Sequence, residues 1–287
     1  VSAAPDAPGA PPVPRIPDAG TAEAFANSWN QIRNGSVYTR AQFEDWLNPI
    51  LPRDLANKTM LELGFGNGSL LEHAGACAPA KLVGVELGDT LERTRRNLAH
   101  LPSGMLELHR GDLTRVDVGL FDYVYCIGVL HHLKDPEAGF RAVLRHTRPG
   151  GHFHCWVYAE EGNAVVIRLV DPIRRVASRL PWWVTKYGVA LPLSVPYFVY
   201  AKIVHQLPSG LAAALPLGEY SRWIGDHNLG FVHHVAFDQL VTPQTTYIAR
   251  ATVDRWLHHP DVDPTSTYII RRNGNSWKFG GRRRVSA

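Results

Sequence analysis

Four short stretches carry residues able to do chemistry, and each follows an apolar run. The first is Glu62-Leu63-Gly64-Phe65-Gly66-Asn67-Gly68. Glycines at alternate positions let a backbone turn sharply and approach a ligand without Cβ interference. A helix starting just behind such a loop favours negative groups such as a carboxylate. The second is Glu86, which stands 18 residues past Gly68. The third is Gly111-Asp112-Leu113, and the fourth is Gly128-Val129-Leu130-His131-His132. The spacing is selective. A dinucleotide fingerprint would place its third glycine at position 69, which is Ser69, and the Gly-Lys-Ser/Thr of a phosphate loop is absent.

These stretches need elements to hold them. The runs 60–63, 81–86, 105–109, 121–129 and 152–158 read as strands. Residues 70–77, 89–100 and 136–151 read as helices, the last ended by Pro149-Gly150-Gly151. Alternation at this spacing predicts a parallel sheet with helical crossovers. All four stretches then fall at carboxyl ends of strands, where doubly wound sheets bind ligands and where a strand-end acid meets ribose hydroxyls. Upstream, Phe25, Trp29 and Ile32 mark a helix over 24–34. Phe43, Trp46, Leu47 and Ile50 share one face of the segment 38–51. Near the end, 265–272 and 276–282 flank Asn273-Gly274-Asn275, a hairpin signal.

In this order, ELGFGNG, VGVE, GDL, FDYVYCIGVLHHL and RPGGHFHCWVY resemble the class I S-adenosylmethionine (SAM)-dependent methyltransferases of small-molecule type over residues 59–158. The terminal hairpin resembles that family's antiparallel strands six and seven. The resemblance implies a Rossmann-like seven-stranded α/β sheet and SAM as cofactor, with S-adenosylhomocysteine as product. Glu62, Gly64, Phe65, Gly66, Asn67 and Gly68 would hold the methionine part. Glu86 with Leu87 would bind the ribose. Asp112 with Leu113 would flank the adenine, with Ile127 and Gly128 beside them. Phe65 stands where the family often has a small residue.

Methyl transfer from a sulfonium is an in-line displacement, so positioning supplies most of the effect and a general base adds to it. His131 and His132 lie where the fourth strand ends, and imidazole suits proton acceptance near neutral pH. The resemblance favours His131 facing substrate and His132 packing. The plainer reading is that both brace the turn. Trp156 and Tyr158 share a face of strand five and should border the pocket, Tyr158 as a hydrogen-bonding group or as an aromatic wall. Tyr38 and Arg40 are candidates to close over it, the alternative for Arg40 being a solvated helix face. The histidine doublets and His152-x-His154 lack the spacing of a metal site, and none is expected.

Residues 159–210 interrupt the α/β rhythm with six basic residues against three acids, interleaved with Trp182, Trp183, Tyr187, Tyr197, Phe198 and Tyr200. A helical lid that excludes water is the first reading. A peripheral membrane contact through 165–205 and a homodimer surface are the others; nucleic acid is not expected. The uncharged run 187–201 is too short to span a bilayer, and Pro192 and Pro196 are expected to break it.

The division is therefore a disordered Pro/Ala-rich arm at 1–20, a helical cover at 21–58, and a SAM-binding core at 59–158. A lid insertion follows at 159–235, and 236–287 completes the sheet. With 287 residues, 45% hydrophobic and 20% charged, the composition is that of a globular enzyme and excludes wholesale disorder. Three scattered cysteines exclude a disulfide framework, and a reducing cytoplasm is the expected compartment. A net charge of +4 permits an acidic partner without requiring one. The expected function is methyl transfer from SAM to a small organic acceptor, oxygen before nitrogen or carbon. A lipid or isoprenoid acceptor at a membrane, or SAM binding without catalysis, are the alternatives.

Overall fold

The computed structural model describes residues 18–29 and 38–285. Most of the expected arm, and Ile32 of the first expected helix, lie outside them. The helix itself, α1, spans Ala19–Trp29, earlier than the sequence pattern placed it. Helix α2, Arg40–Leu47, begins in a capping box: Gln42 N–H donates to Thr39 Oγ1, and Thr39 N–H donates to Gln42 Oε1.

The core alternates as its apolar runs require. β1 (Thr59–Leu63), α3 (Ser69–Gly75), β2 (Lys81–Glu86), α4 (Leu91–Asn97), β3 (Leu106–Arg110), β4 (Phe121–Ile127), α5 (Pro136–His146) and β5 (Thr147–Tyr158) follow in turn. Continuous Val/Ile/Leu-rich runs suit strands covered on both faces. Helix α5 stops at His146, and Pro149-Gly150-Gly151 belongs to β5 instead. Gly150 takes φ +76°, and the β4–β5 register shifts between Phe121 and Tyr123, so the irregular strand start absorbs the breakers.

The insertion contributes a π turn (Val166–Val170), α6 (Asp171–Ala177), a second π turn (Val184–Ala190), α7 (Leu191–Gln206), α8 (Ser209–Ala213), α9 (Gly218–Ile224) and α10 (Leu229–Val241). Val184–Gln206 is one uninterrupted helix, long and apolar enough by length and composition to cross a membrane. Pro192 and Pro196 do not break it. Pro192 sits in the first turn after the π segment, where a missing N–H costs little, and exposed Pro196 gives up one bond to carbonyl 192. Helix α11 (Arg250–Leu257) then leads to β6 (Tyr268–Arg272) and β7 (Ser276–Arg282). Asn273 and Gly274, the central residues of the β-turn closed by Asn275 N–H to the Arg272 carbonyl, both take positive φ, 49° and 67°.

One seven-stranded sheet results, ordered β3-β2-β1-β4-β5-β7-β6, parallel except for β7, which runs antiparallel to both neighbours. Phe140 stacks on Trp256 at 5.4 Å, closing one face of the sheet with α5 and α11. On the other face Phe43, Trp46 and Leu47 of α2 join Met60, Leu71 and Tyr125. His154 fastens α2 here, with Nε2 donating to the Trp46 carbonyl at 2.7 Å and Nδ1 accepting from Tyr268 Oη at 2.7 Å. Asp45 completes the attachment. Its carboxylate accepts from buried Arg272 at 2.5 Å, and its carbonyl accepts from buried Lys278 at 2.5 Å.

Asp45→Ala would leave two buried cations without their carboxylate. A loss of about 2 kcal/mol is expected, trimmed from the usual buried-pair cost because Asp45 itself is half-exposed. Urea unfolding checks it; a loss within error would show that the cover is held by apolar packing alone.

Candidate active site

The glycine loop leaves β1 and must reverse at once into α3. Gly64, Gly66 and Gly68 all take positive φ, 83°, 56° and 84°. A Cβ on Gly64 would collide with Val129 Cγ2, and one on Gly68 would lie 2.6 Å from Thr94 Cγ2. Asn67 secures the turn: its Oδ1 accepts from Ser69 N at 3.1 Å and Ser69 Oγ at 2.6 Å. Glu86 reaches back from β2 to the loop, accepting from Gly66 N at 2.9 Å and Gly88 N at 2.7 Å. Burial still pushes its carboxyl up.

Beneath the loop, Glu62 is 1% exposed. Tyr125 Oη donates to it at 3.0 Å, and no ion pair reaches it among the described residues. Burial, with Glu86 close by, raises its carboxyl to about 8. A buried carboxylate without a cation is costly, and a bound ammonium would restore its charge. Asp112 Oδ1 accepts from Thr114 N and Oγ1 at 2.9 and 2.7 Å, leaving Oδ2 with only a long 3.5 Å contact to Arg115.

These groups surround a cavity of about 660 Å³, within the range of small-molecule sites. Its floor includes Glu62, Gly64, Phe65, Gly66 and Asn67. Glu86, Leu87, Asp112, Leu113, Ile127 and Gly128 form the strand-end rim. Tyr38, Trp156 and Tyr158 wall the far end, and burial beside Asp238 keeps the Tyr38 phenol protonated. Three expected residues stay outside the lining. Gly68 caps α3 behind the loop. Arg40 instead donates to Glu44 at 2.6 Å and to the His73 carbonyl at 3.1 Å, tying α2 to α3.

His131 is the third. It is fully buried behind the wall, its ring 4.2 Å from Tyr158, with neither nitrogen hydrogen-bonded. His132 faces the cavity instead, which reverses the order expected for the pair. The short 3₁₀ turn Leu130–His132 swings the second ring inward. Its Nδ1 lies 3.0 Å from the Gln244 carbonyl. A carbonyl only accepts, so Nδ1 carries the proton and Nε2 keeps the lone pair. Burial lowers this imidazole to about 4, so it is neutral at pH 7. The segment after α10 fixes both histidines: Thr246 N donates to the His131 carbonyl at 2.7 Å, and Gln244 Nε2 to the Leu133 carbonyl at 3.2 Å.

Sequence reasoning placed a lid here but missed the latch that holds it. Arg174, 3% exposed, pairs with Asp171 at 2.6 Å. It also donates to the Gln239 carbonyl at 2.6 Å, to Gln239 Oε1 at 2.8 Å and to Tyr247 Oη at 3.1 Å. Gln239 Nε2 then donates to Tyr158 Oη at 2.6 Å. This chain joins α6 and α10 to the end of β5. It has no spacing signature, because Arg174 and Gln239 come from separate helices. The remaining roof is mostly apolar or aromatic, with Ile173, Leu193, Tyr197 and Tyr220 facing the cavity beside the His234–Asp238 pair at 3.2 Å. Among the described residues no cluster of three His, Cys, Asp or Glu is placed to hold a metal.

A family model described as a methyltransferase domain matches residues 37–190, over half the chain. A Ralstonia nicotianae ubiquinone biosynthesis O-methyltransferase is 32% identical over 112 residues, 38% of this chain and 45% of that protein. Its Pseudomonas paraeruginosa counterpart is 35% identical over 101 residues, 34% of this chain and 43% of that protein. An uncharacterized Synechococcus protein is 33% identical over 130 residues, 42% of this chain and 30% of that protein. The match spans less than half the length of these relatives. The N-methyltransferase NodS of Bradyrhizobium japonicum, solved with S-adenosylhomocysteine, superposes over 92% of this chain and 98% of its own. The TM-score is 0.51 at 11% identity. The magnesium protoporphyrin IX methyltransferase of Synechocystis covers 90% and 93%, with TM-score 0.50 at 13% identity. At such identities the likeness is one of fold.

Arg174→Met would strand Asp171 and unlatch the roof. A stability loss of about 3 kcal/mol is expected, together with faster proteolysis between α6 and α10. Unchanged cleavage there would show that the latch does not hold the roof.

Proposed function

The chain belongs to the methyltransferase-domain family, and on that premise we propose that it transfers the methyl group of SAM to a hydroxyl oxygen of a small, largely apolar acceptor. The observation that carries this reading is Glu62, a buried carboxylate without a cation at the foot of a glycine cradle that a Cβ would fill. The residues fit the cofactor. Glu62 would hold its ammonium, Glu86 its ribose hydroxyls and Asp112 its adenine amino group. Bound there, SAM supplies an electrophilic methyl group on a sulfonium.

The chain's own part is positioning and proton handling. The aromatic wall and apolar roof exclude water and favour an acceptor with little charge. Tyr158, polarised by Gln239, orients the acceptor's oxygen. His132 takes the hydroxyl proton at Nε2 as the oxygen gains its methyl group. Its low proton affinity in the buried site is no obstacle, because a hydroxyl oxygen that is gaining a methyl group becomes far more acidic than a free hydroxyl and gives up its proton even to a weak base. The O-methyltransferase relatives support oxygen as the accepting atom.

Two experiments test this. A cationic ligand must find Glu62 ionised, yet below pH 8 the free protein holds it protonated. S-adenosylhomocysteine binding should therefore release a proton near pH 6.5 and weaken up to about tenfold per pH unit below 8. Calorimetry in buffers of different ionisation enthalpy reads this directly, and Glu62→Gln should abolish the release. No binding by the wild type would end the reading. For the second, His132→Ala should lower kcat about 10²–10⁴-fold with cofactor affinity unchanged. His131→Leu, which removes an unpaired buried polar ring, should fold and turn over. The opposite pattern would return the base to His131.

A further inference from the structure

Among the described residues, most exposed large apolar side chains fall between Leu169 and Ile203. They are ordered. Trp183, Tyr187, Leu191, Val195, Val199 and Ile203 recur every fourth residue and are 58, 55, 36, 46, 53 and 58% exposed. Residues at that spacing form one ridge along a helix. Trp183 precedes Val184–Gln206, whose 23 residues extend about 34 Å. The opposite side of the helix is held to the body by Tyr197 Oη with Ser221 Oγ at 3.1 Å. Lys202 Nζ also donates to the Gly225 carbonyl at 2.6 Å, and His205 Nδ1 to the Arg222 carbonyl at 2.9 Å. The helix therefore lies along the protein with its ridge outward.

Along the chain, the charge of this stretch has one sign. No Asp or Glu occurs from residue 172 to residue 218. Arg168, Arg175 and Arg179 are exposed and form no ion pair among the described residues. Trp182 and Trp183 stand at the same end, and amphipathic aromatics with arginines belong at a lipid headgroup boundary. Leu169 and Leu193 are 63 and 41% exposed and both line the cavity, so its mouth opens beside this helix, on the side of Leu193 rather than on the ridge itself.

We propose that this face docks on an anionic bilayer surface, and that the methyl acceptor is a lipid-like molecule entering from that bilayer between Leu169 and Leu193. The acceptor half rests on the methyl-transfer reading; the docking half does not. A second copy of the chain fits less well, because a two-fold interface would set Arg175 and Arg179 near their own copies. Spanning fits less well too, since it would strip the helix of its polar bonds to α9 and the residues after it.

The test is flotation of the full chain with phosphatidylcholine vesicles, with and without phosphatidylglycerol. The wild type should float with the anionic vesicles, less so at high salt. Val199→Asp/Ile203→Asp should stay at the bottom, and Arg175→Glu/Arg179→Glu should bind anionic vesicles roughly tenfold or more weakly. Wild type that stays at the bottom with both vesicles overturns docking, as does a ridge-dependent dimer in sedimentation without vesicle binding. Melting with S-adenosylhomocysteine is read on the same samples. A retained thermal shift in wild type that does not float sinks the membrane proposal alone. A missing shift in wild type that floats sinks the methyl-transfer reading and leaves docking in place. Where both hold, turnover of a long-chain phenol should rise in anionic vesicles; equal rates in neutral ones would remove the delivery route.

Discussion

A carboxylate that is buried, hydrogen-bonded to one tyrosine hydroxyl and paired with no cation among the described residues sits at the centre of this molecule. Glu62 ends the middle strand of the parallel sheet, so it cannot reach solvent without breaking β1 from its neighbours on both sides. Tyr125, from β4, is placed by the same pairing. The glycine turn above follows from this: the chain must leave β1 at a steep angle to keep Glu62 covered, and three positive φ values accomplish it. Glu86 then secures the turn through Gly66 N–H. At neutral pH the ligand-free fold thus holds Glu62 protonated, and a bound cation draws it back to its charged form, so the proton coupling of the site is set by the sheet rather than by a flexible loop.

Strand ends were legible in the sequence because periodicity and glycine punctuation are local signals. ELGFGNG, the acid of VGVE and Gly128 fall where the β–α alternation puts them, and all reach the cavity except Leu63, which packs in the core, and Gly68, which caps α3 from behind. The errors have local physical causes. Pro149-Gly150-Gly151 looks like a helix stop, yet β5 absorbs it through an irregular start that pairs with β7. Pro192 and Pro196 look like breakers, but a π turn ahead of the first and solvent around the second let the helix continue. Which histidine faces inward depends on one 3₁₀ turn and on Gln244, more than a hundred residues away. No spacing rule encodes that.

The roof shows the same division. Its apolar content was visible as Trp, Tyr and Leu in an interrupted rhythm. Its latch was not, because Arg174 looks like one cation in a basic stretch. In the fold it is the least exposed arginine of the insertion, its guanidinium shared among Asp171, Gln239 and Tyr247. A guanidinium offers five donors in a rigid fork, so one arginine can bind several partners from different elements. Removing its charge from the surface count leaves Arg168, Arg175 and Arg179 as the outward cations of this stretch, beside the apolar ridge.

The roof and His132 are not independent. Gln239 lies on α10 and holds Tyr158 and Arg174; Gln244 follows that helix directly and sets the tautomer of His132. Ile248 N donates to the Tyr158 carbonyl at 2.9 Å, tying the far end of the segment to β5. A shift of α10 would therefore move the Arg174 latch, Tyr158 and His132 together. The cavity mouth lies on the helices that α10 packs against, and the apolar ridge lies on the longest of them. The helix that carries the ridge packs on α10 through Ala201 and Val232, so ridge and His132 are joined by packed side chains rather than by a flexible linker. One segment of chain, Gln239 to Gln244, therefore holds both the roof and the tautomer of His132.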